Sequence, residues 1–177
     1  KSPYKHVLVN GLVLAEDGRK MSKSLSNYPD PMNVVNKYGA DALRYYLVSS
    51  PLVKAEDFNF SEKGVDDVSK KLIQKIYNVL SFYEMYPSQS KSKSEPSILD
   101  SWMISRLNEL TEVVEKSLDK YEIDRASRPI MDFVDDLSTW YIRRSRERFK
   151  SENKEERDTA SYYTKFILVE FSKVVAP

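Results

Sequence analysis

The chain is predicted to be mainly α-helical, with a small β-hairpin or strand element leading into an antiparallel helical bundle. Three observations predict this. Short aliphatic runs, His6–Val9 and Leu12–Leu14, crowd the first fifteen residues and meet at Asn10-Gly11. Beyond Ser61 the apolar residues recur every three or four positions through four long segments, the spacing of one helix face. Asp-Pro and glycine punctuation marks where the shorter helices begin and end.

Taken in order, the two aliphatic runs read as a strand pair, and Glu16-Asp17-Gly18 as a turn before Arg19-Lys20. Asp30-Pro31 is a helix start, with Asp30 as N-cap and Pro31 where its missing N–H costs nothing. That helix stops at Gly39 in a left-handed cap. A second short helix covers Asp41 to Ser49 and ends before Pro51. Ser61 caps a longer helix whose stripe is Val65, Val68, Leu72, Ile76, Val79 and Tyr83. Residues 87–96, with no apolar side chain to bury, are a loop.

A third long helix carries Leu99, Met103, Leu107, Leu110, Val114, Leu118 and Tyr121 on one face. A fourth carries Ile130, Val134, Leu137 and Tyr141. Pro129 near its start implies either a late start capped by Ser127 or a kink. A fifth, from about Glu155, carries Ala160, Tyr163, Ile167, Phe171 and Val174. Four long amphipathic helices with short connections pack as a bundle.

Composition narrows the chemistry. The 177 residues have a net charge of +1, so any nucleic-acid surface must be a local patch. Cysteine is absent, which excludes disulfides and thiolate metal sites, and His6 is the single histidine. His6, in an apolar run, is expected to be structural. No apolar run reaches the roughly 18 residues of a membrane span, and no leader is recognisable, so a cytoplasmic protein is expected. A start at Lys1 without methionine and an end straight after an apolar run suggest a piece of something longer. Two adjacent acid pairs, Asp66-Asp67 and Asp135-Asp136, cannot form paired-carboxylate sites, because neighbours on a helix do not converge.

The run with most chemistry is Lys20-Met21-Ser22-Lys23-Ser24, preceded by Gly18. Two lysines three residues apart, with small hydroxyls around them, suit a mobile clamp for polyphosphate. A charged hairpin tip with solvated lysines is the plain alternative. Arg143, Arg144, Arg146, Arg148 and Lys150 crowd another segment, interrupted by Glu147. They read either as a phosphate-binding surface or as a solvated face with cations at a helix C-terminus. Trp102, Trp140 and Tyr141 could stack on bases, but their place beside the aliphatic stripes favours core packing.

The run Lys20 to Ser24 resembles the second signature of class I aminoacyl-tRNA synthetases. The order strand, lysine loop, Asp30-Pro31, then Tyr38-Gly39-Ala40-Asp41-Ala42-Leu43-Arg44-Tyr45-Tyr46-Leu47, resembles the members for isoleucine, valine and leucine. Ser49–Val53, Glu56–Ser61, Asp100–Asn108 and Asp132–Arg146 resemble the isoleucyl branch, so the resemblance covers almost the whole chain.

The resemblance implies residues 1–60 as the C-terminal end of a Rossmann catalytic domain carrying the KMSKS loop. It implies 61–177 as a truncated helical anticodon-binding domain. It implies Lys20 and Lys23 as catalytic, Lys20, Met21, Ser22, Lys23 and Ser24 as ATP-binding, and Arg143, Arg144, Arg146 and Arg148 as tRNA-contacting. The expected ligands are ATP with Mg2+, isoleucine and tRNA(Ile), with no metal site in this piece and a monomeric parent. The first class I signature needs two histidines close together, and the pocket, editing domain and zinc tail of the family are absent from this sequence. The piece alone is therefore expected to be inactive. A valyl or leucyl fragment, a non-catalytic tRNA-binding module and a purely structural bundle are the alternatives.

Overall fold

The computed structural model describes residues 2–87 and 95–176. It is mainly helical with one small parallel two-stranded sheet. The 87–96 loop lies mostly outside the described residues. The elements are β1 (Val13–Leu14), α1 (Pro31–Tyr38), α2 (Ala40–Val48), a 3-10 turn Pro51–Lys54, β2 (Phe58–Asn59) and α3 (Glu62–Val68). A π-helical stretch Ser69–Ile73 leads into α4 (Gln74–Met85), then α5 (Ile98–Leu118) and α6 (Ile123–Asp135). A second π-helical stretch, Asp136–Ile142, leads into α7 (Arg143–Lys150), and α8 (Lys154–Val174) follows. The chain divides into two compact units, one of residues 1–73 and 115–128, the other of 74–114 and 129–177.

In the first unit the expected hairpin through Asn10-Gly11 does not form. Val7, Leu8 and Val9 are exposed and outside any strand. Instead Val13 and Leu14 pair in parallel with Phe58 and Asn59. Phe58 N–H donates to Leu12 O (2.9 Å) and Phe60 N–H to Leu14 O (2.8 Å). Gly11 is needed for close approach rather than for a turn: a Cβ there would lie 1.9 Å from the Glu56 carbonyl oxygen. His6 is likewise not in a strand; its ring lies tilted against Tyr121, centroids 4.9 Å apart.

Of the three expected caps, that of Asp30 forms as expected, whereas Gly39 and Ser61 depart from theirs. Asp30 caps α1, accepting from Met32 N (2.7 Å) and Asn33 N (3.2 Å). Gly39 ends α1 at φ 91° and ψ 149°, a positive-φ conformation that suits glycine but is not the left-handed helical cap. Ser61 precedes α3 but gives no side-chain cap; its Oγ reaches Glu16 instead (3.4 Å). Glu62, at the start of α3, accepts from both Lys37 Nζ (2.8 Å) and Tyr38 OH (2.9 Å) of α1. Val34, Ala42, Phe60, Val65, Val68 and Leu72 are buried around these elements.

The second unit buries the predicted stripes: Val79, Met103, Leu107, Leu110, Val134, Leu137, Tyr141, Ala160, Tyr163, Ile167 and Phe171. Phe133 stacks on Phe171 at 5.0 Å. α6 starts at Ile123 and runs through Pro129, so the helix does not begin late at Ser127. α5 ends at Leu118, and Tyr121 lies beyond it with φ 60°, half exposed rather than on the stripe. The adjacent acids diverge as expected, Asp135 to Lys75 and Asp136 to Arg106, and Asp66 and Asp67 to Lys70 and Lys71.

Candidate nucleotide loop and basic helix

Following β1, Gly18 N–H donates to Ala15 O (2.9 Å) and Ala15 N–H to Arg19 O (2.8 Å). Gly18 sits at φ 79°, where a glycine carries no Cβ penalty. Asp17 accepts from Arg19 N (3.0 Å) and Arg19 Nε (2.7 Å), and the Arg19 side-chain hydrogen bond holds its carboxyl below the usual value. Leu14 bridges Lys20 in antiparallel fashion, so a tight hairpin one bridge long delivers the chain to Lys20.

From there the chain makes an irregular loop. Leu25 N–H donates to Ser22 O (3.2 Å), Ser26 N–H to Lys23 O (3.3 Å), and the Ser22 and Ser24 hydroxyls share a hydrogen bond (2.8 Å). Sequence reading passed over Asn27, whose side chain spans the loop. Its Oδ1 accepts from Ser22 N (2.9 Å) and its Nδ2 donates to Lys20 O (3.1 Å). The signal was available: an asparagine four residues after Lys23 can satisfy one donor and one acceptor of the loop backbone at once.

Lys20, Lys23 and Ser24 are exposed, while Met21 and Ser22 are half-buried. Among the described residues neither Lys20 nor Lys23 has an ion-pair partner, in contrast to Lys37, Lys54, Lys70 and Lys75. A recess of about 320 Å³ lies behind the loop, lined among others by Ala15, Glu16, Met21, Asn27, Tyr28 and Phe60; neither lysine lines it. The loop thus presents two unneutralised ammonium groups on a backbone pinned by Asn27. That arrangement meets polyphosphate with little competing internal charge. Among the described residues no three His, Cys, Asp or Glu side chains cluster to hold a metal ion.

The four arginines of α7 do not act as one set. Arg143, Arg144 and Arg146 are exposed and have no ion-pair partner among the described residues. Arg144 stacks its guanidinium over the Trp140 ring, 3.8 Å from the centroid. Arg148 is different. Its Nη1 and Nη2 donate to Asp100 Oδ1 (2.9 Å) and Oδ2 (2.6 Å), and Asp100 is fully buried. Tyr141 OH and Ser97 Oγ also donate to that carboxylate, both at 2.7 Å. Arg148 is therefore committed internally rather than free for phosphate, because a buried carboxylate must be paired. Tyr141 is buried, as core packing required, and its hydroxyl is pushed up by that burial. Trp102 is half-buried, whereas Trp140 is 47% exposed and departs from the core expectation.

Residues 1–59 match the family model described as tRNA synthetases class I (I, L, M and V), and residues 100–177 match the anticodon-binding domain of tRNA ligase. Between them they take in the lysine loop and the basic helix. The chain belongs to the class I aminoacyl-tRNA synthetases. Over its whole length it is 45% identical to isoleucine–tRNA ligase of Bdellovibrio bacteriovorus. Over 98% of its length it is 44% identical to the enzymes of that name from Protochlamydia amoebophila and Chlamydia trachomatis. The chain spans only 17–18% of the length of these relatives. Its fold is similar to that of Agrobacterium radiobacter LeuRS, solved as a ternary complex with tRNA and LeuAMS. There the TM-score is 0.64, with 94% of this synthetase chain and 21% of that one covered at 20% identity, a likeness of fold alone. No helix among the described residues is long and apolar enough to cross a membrane.

Proposed function

We propose that this chain is part of an isoleucine–tRNA ligase, the C-terminal end of its catalytic domain (1–60) followed by its anticodon-binding bundle of antiparallel helices (61–177). The parent activates isoleucine with ATP and Mg2+ and transfers it to tRNA(Ile), as a cytoplasmic monomer. The observation that carries this is the identity of 44–45% along the whole chain to enzymes named for that reaction. The unpaired lysine loop supports it.

In the reaction the isoleucine carboxylate attacks the α-phosphorus of ATP and the bond to pyrophosphate breaks. Negative charge grows on the phosphoryl oxygens and on the departing pyrophosphate. Lys20 and Lys23 neutralise that charge as it develops, which lowers the barrier more than it tightens bound ATP. Ser22 and Ser24 add hydroxyl donors, and Met21 with the loop backbone completes the ATP contact. Asn27 holds the loop backbone so that little reorganisation is needed. Arg143, Arg144 and Arg146 meet the tRNA, while Arg148 anchors their helix through Asp100.

The test is ATP–pyrophosphate exchange by the full-length enzyme carrying Lys23→Ala. Exchange should fall roughly 100- to 1000-fold, the scale for one lost charge-stabilising donor, with isoleucine affinity unchanged. Wild-type exchange in that variant would remove the loop from catalysis. An amino-acid panel on the same enzyme would refute the isoleucine reading if valine or leucine were activated preferentially.

A further inference from the structure

The π-helical stretch Asp136–Ile142 ends in three consecutive large side chains with unlike fates. Tyr141 is 0% and Ile142 5% exposed, whereas Trp140 is 47% exposed. The exposed indole is held in place: the Arg144 guanidinium stacks on it at 3.8 Å. The neighbouring Arg146 lies 6.0 Å from the Phe82 ring, and Arg143, Arg144 and Arg146 have no carboxylate partner among the described residues. Within the same unit Arg106 and Arg148 are both paired with carboxylates. An exposed aromatic ring stacked by one guanidinium, on a chain segment that carries two more unneutralised arginines within six residues, fits a ligand that offers both a π-face and negative charge. A nucleotide offers both.

We propose that Trp140, ordered by Arg144, is a stacking platform for one unstacked nucleobase of RNA, with Arg143 and Arg146 taking the adjacent phosphates. This rests on the tRNA-binding reading and names the side chain that takes a base rather than a phosphate. The two kinds of contact differ in salt dependence. Stacking releases no counterions, whereas each phosphate contact does.

The experiment measures binding of an unmodified tRNA(Ile) transcript to the full-length enzyme from 50 to 300 mM salt. Trp140→Ala should weaken binding roughly 5- to 50-fold by the same factor at every salt concentration, and Trp140→Phe should restore most of it. Arg143→Ala and Arg146→Ala should each lower the salt slope by about one. If the arginine variants behave so but Trp140→Ala binds like wild type, the platform is refuted while the tRNA reading stands. If no variant alters binding, or the enzyme does not bind the transcript, the tRNA reading falls with it. Loss in Trp140→Ala that Trp140→Phe does not restore would mark a structural role and overturn the proposal. So would equal competition by polyglutamate, which would mark an acidic-peptide surface.

Discussion

Arg148 and Asp100 form a two-pronged ion pair, 2.9 and 2.6 Å, whose carboxylate is fully buried and whose guanidinium side chain is 14% exposed. The pair joins the first turn of α5 to α7, and Tyr141 closes it from the π-helical stretch. Removing Arg148 would leave a carboxylate without water or countercharge. Arg148→Ala should therefore destabilise the chain by about 3–5 kcal/mol in urea unfolding, well beyond Arg143→Ala. Equal, small effects of the two variants would deny the distinction drawn between them.

Acid should act through the same carboxylate. Burial alone would raise the Asp100 value, but hydrogen bonds from Arg148, Ser97 and Tyr141 outweigh it and hold it below its usual value. A depressed carboxylate contributes stability above the unfolded value of about 3.9, and that stability is lost as pH falls through the lower folded value. Melting temperature should drop below pH 4 in the wild type, and Asp100→Asn should flatten that drop while lowering the plateau at pH 7. An unchanged acid limb in the variant would place the acid sensitivity elsewhere.

Tyr141→Phe deletes one of three kinds of donor to Asp100 while keeping the ring in the core. Its cost should be about 1–3 kcal/mol, less than that of Arg148→Ala. Calorimetry of both single variants and the double variant should show non-additivity, since they share one acceptor.

Asn27 bridges Lys20 O and Ser22 N across the lysine loop. In the full-length enzyme Asn27→Ala should slow adenylate formation roughly 10- to 100-fold with isoleucine affinity intact. Asn27→Asp keeps the acceptor for Ser22 but turns the donor to Lys20 O into a repelling oxygen and adds negative charge to the loop, so its rate should fall at least as far as that of Asn27→Ala. Pre-steady-state pyrophosphate release reads both, and a wild-type rate in Asn27→Ala would make the clasp irrelevant.

Gly11 gives a sign test of the strand pairing. At an open strand position Gly→Ala stabilises by about 0.4–1 kcal/mol. Here the added carbon would overlap the Glu56 carbonyl, so Gly11→Ala should instead destabilise by about 1–3 kcal/mol. A stabilised variant in thermal unfolding would contradict the close approach.

Short-range physics was legible in the amino-acid order. Asp30 caps residues two and three ahead of it, the helical stripes follow one rotation per 3.6 residues, and the lysine loop is five consecutive residues. Each depends on neighbours a few positions away. The tertiary structure alone decided the partner of β1, because Leu12 meets Asp57 across 45 residues, and local strand signals cannot choose between a near partner and a remote one. It also decided which arginine is withdrawn from the surface. Four arginines in six positions are alike until packing brings a buried carboxylate 48 residues away within reach of one. Burial likewise separated Trp140 from Tyr141, since adjacent aromatics differ only in which side of the helix the core occupies.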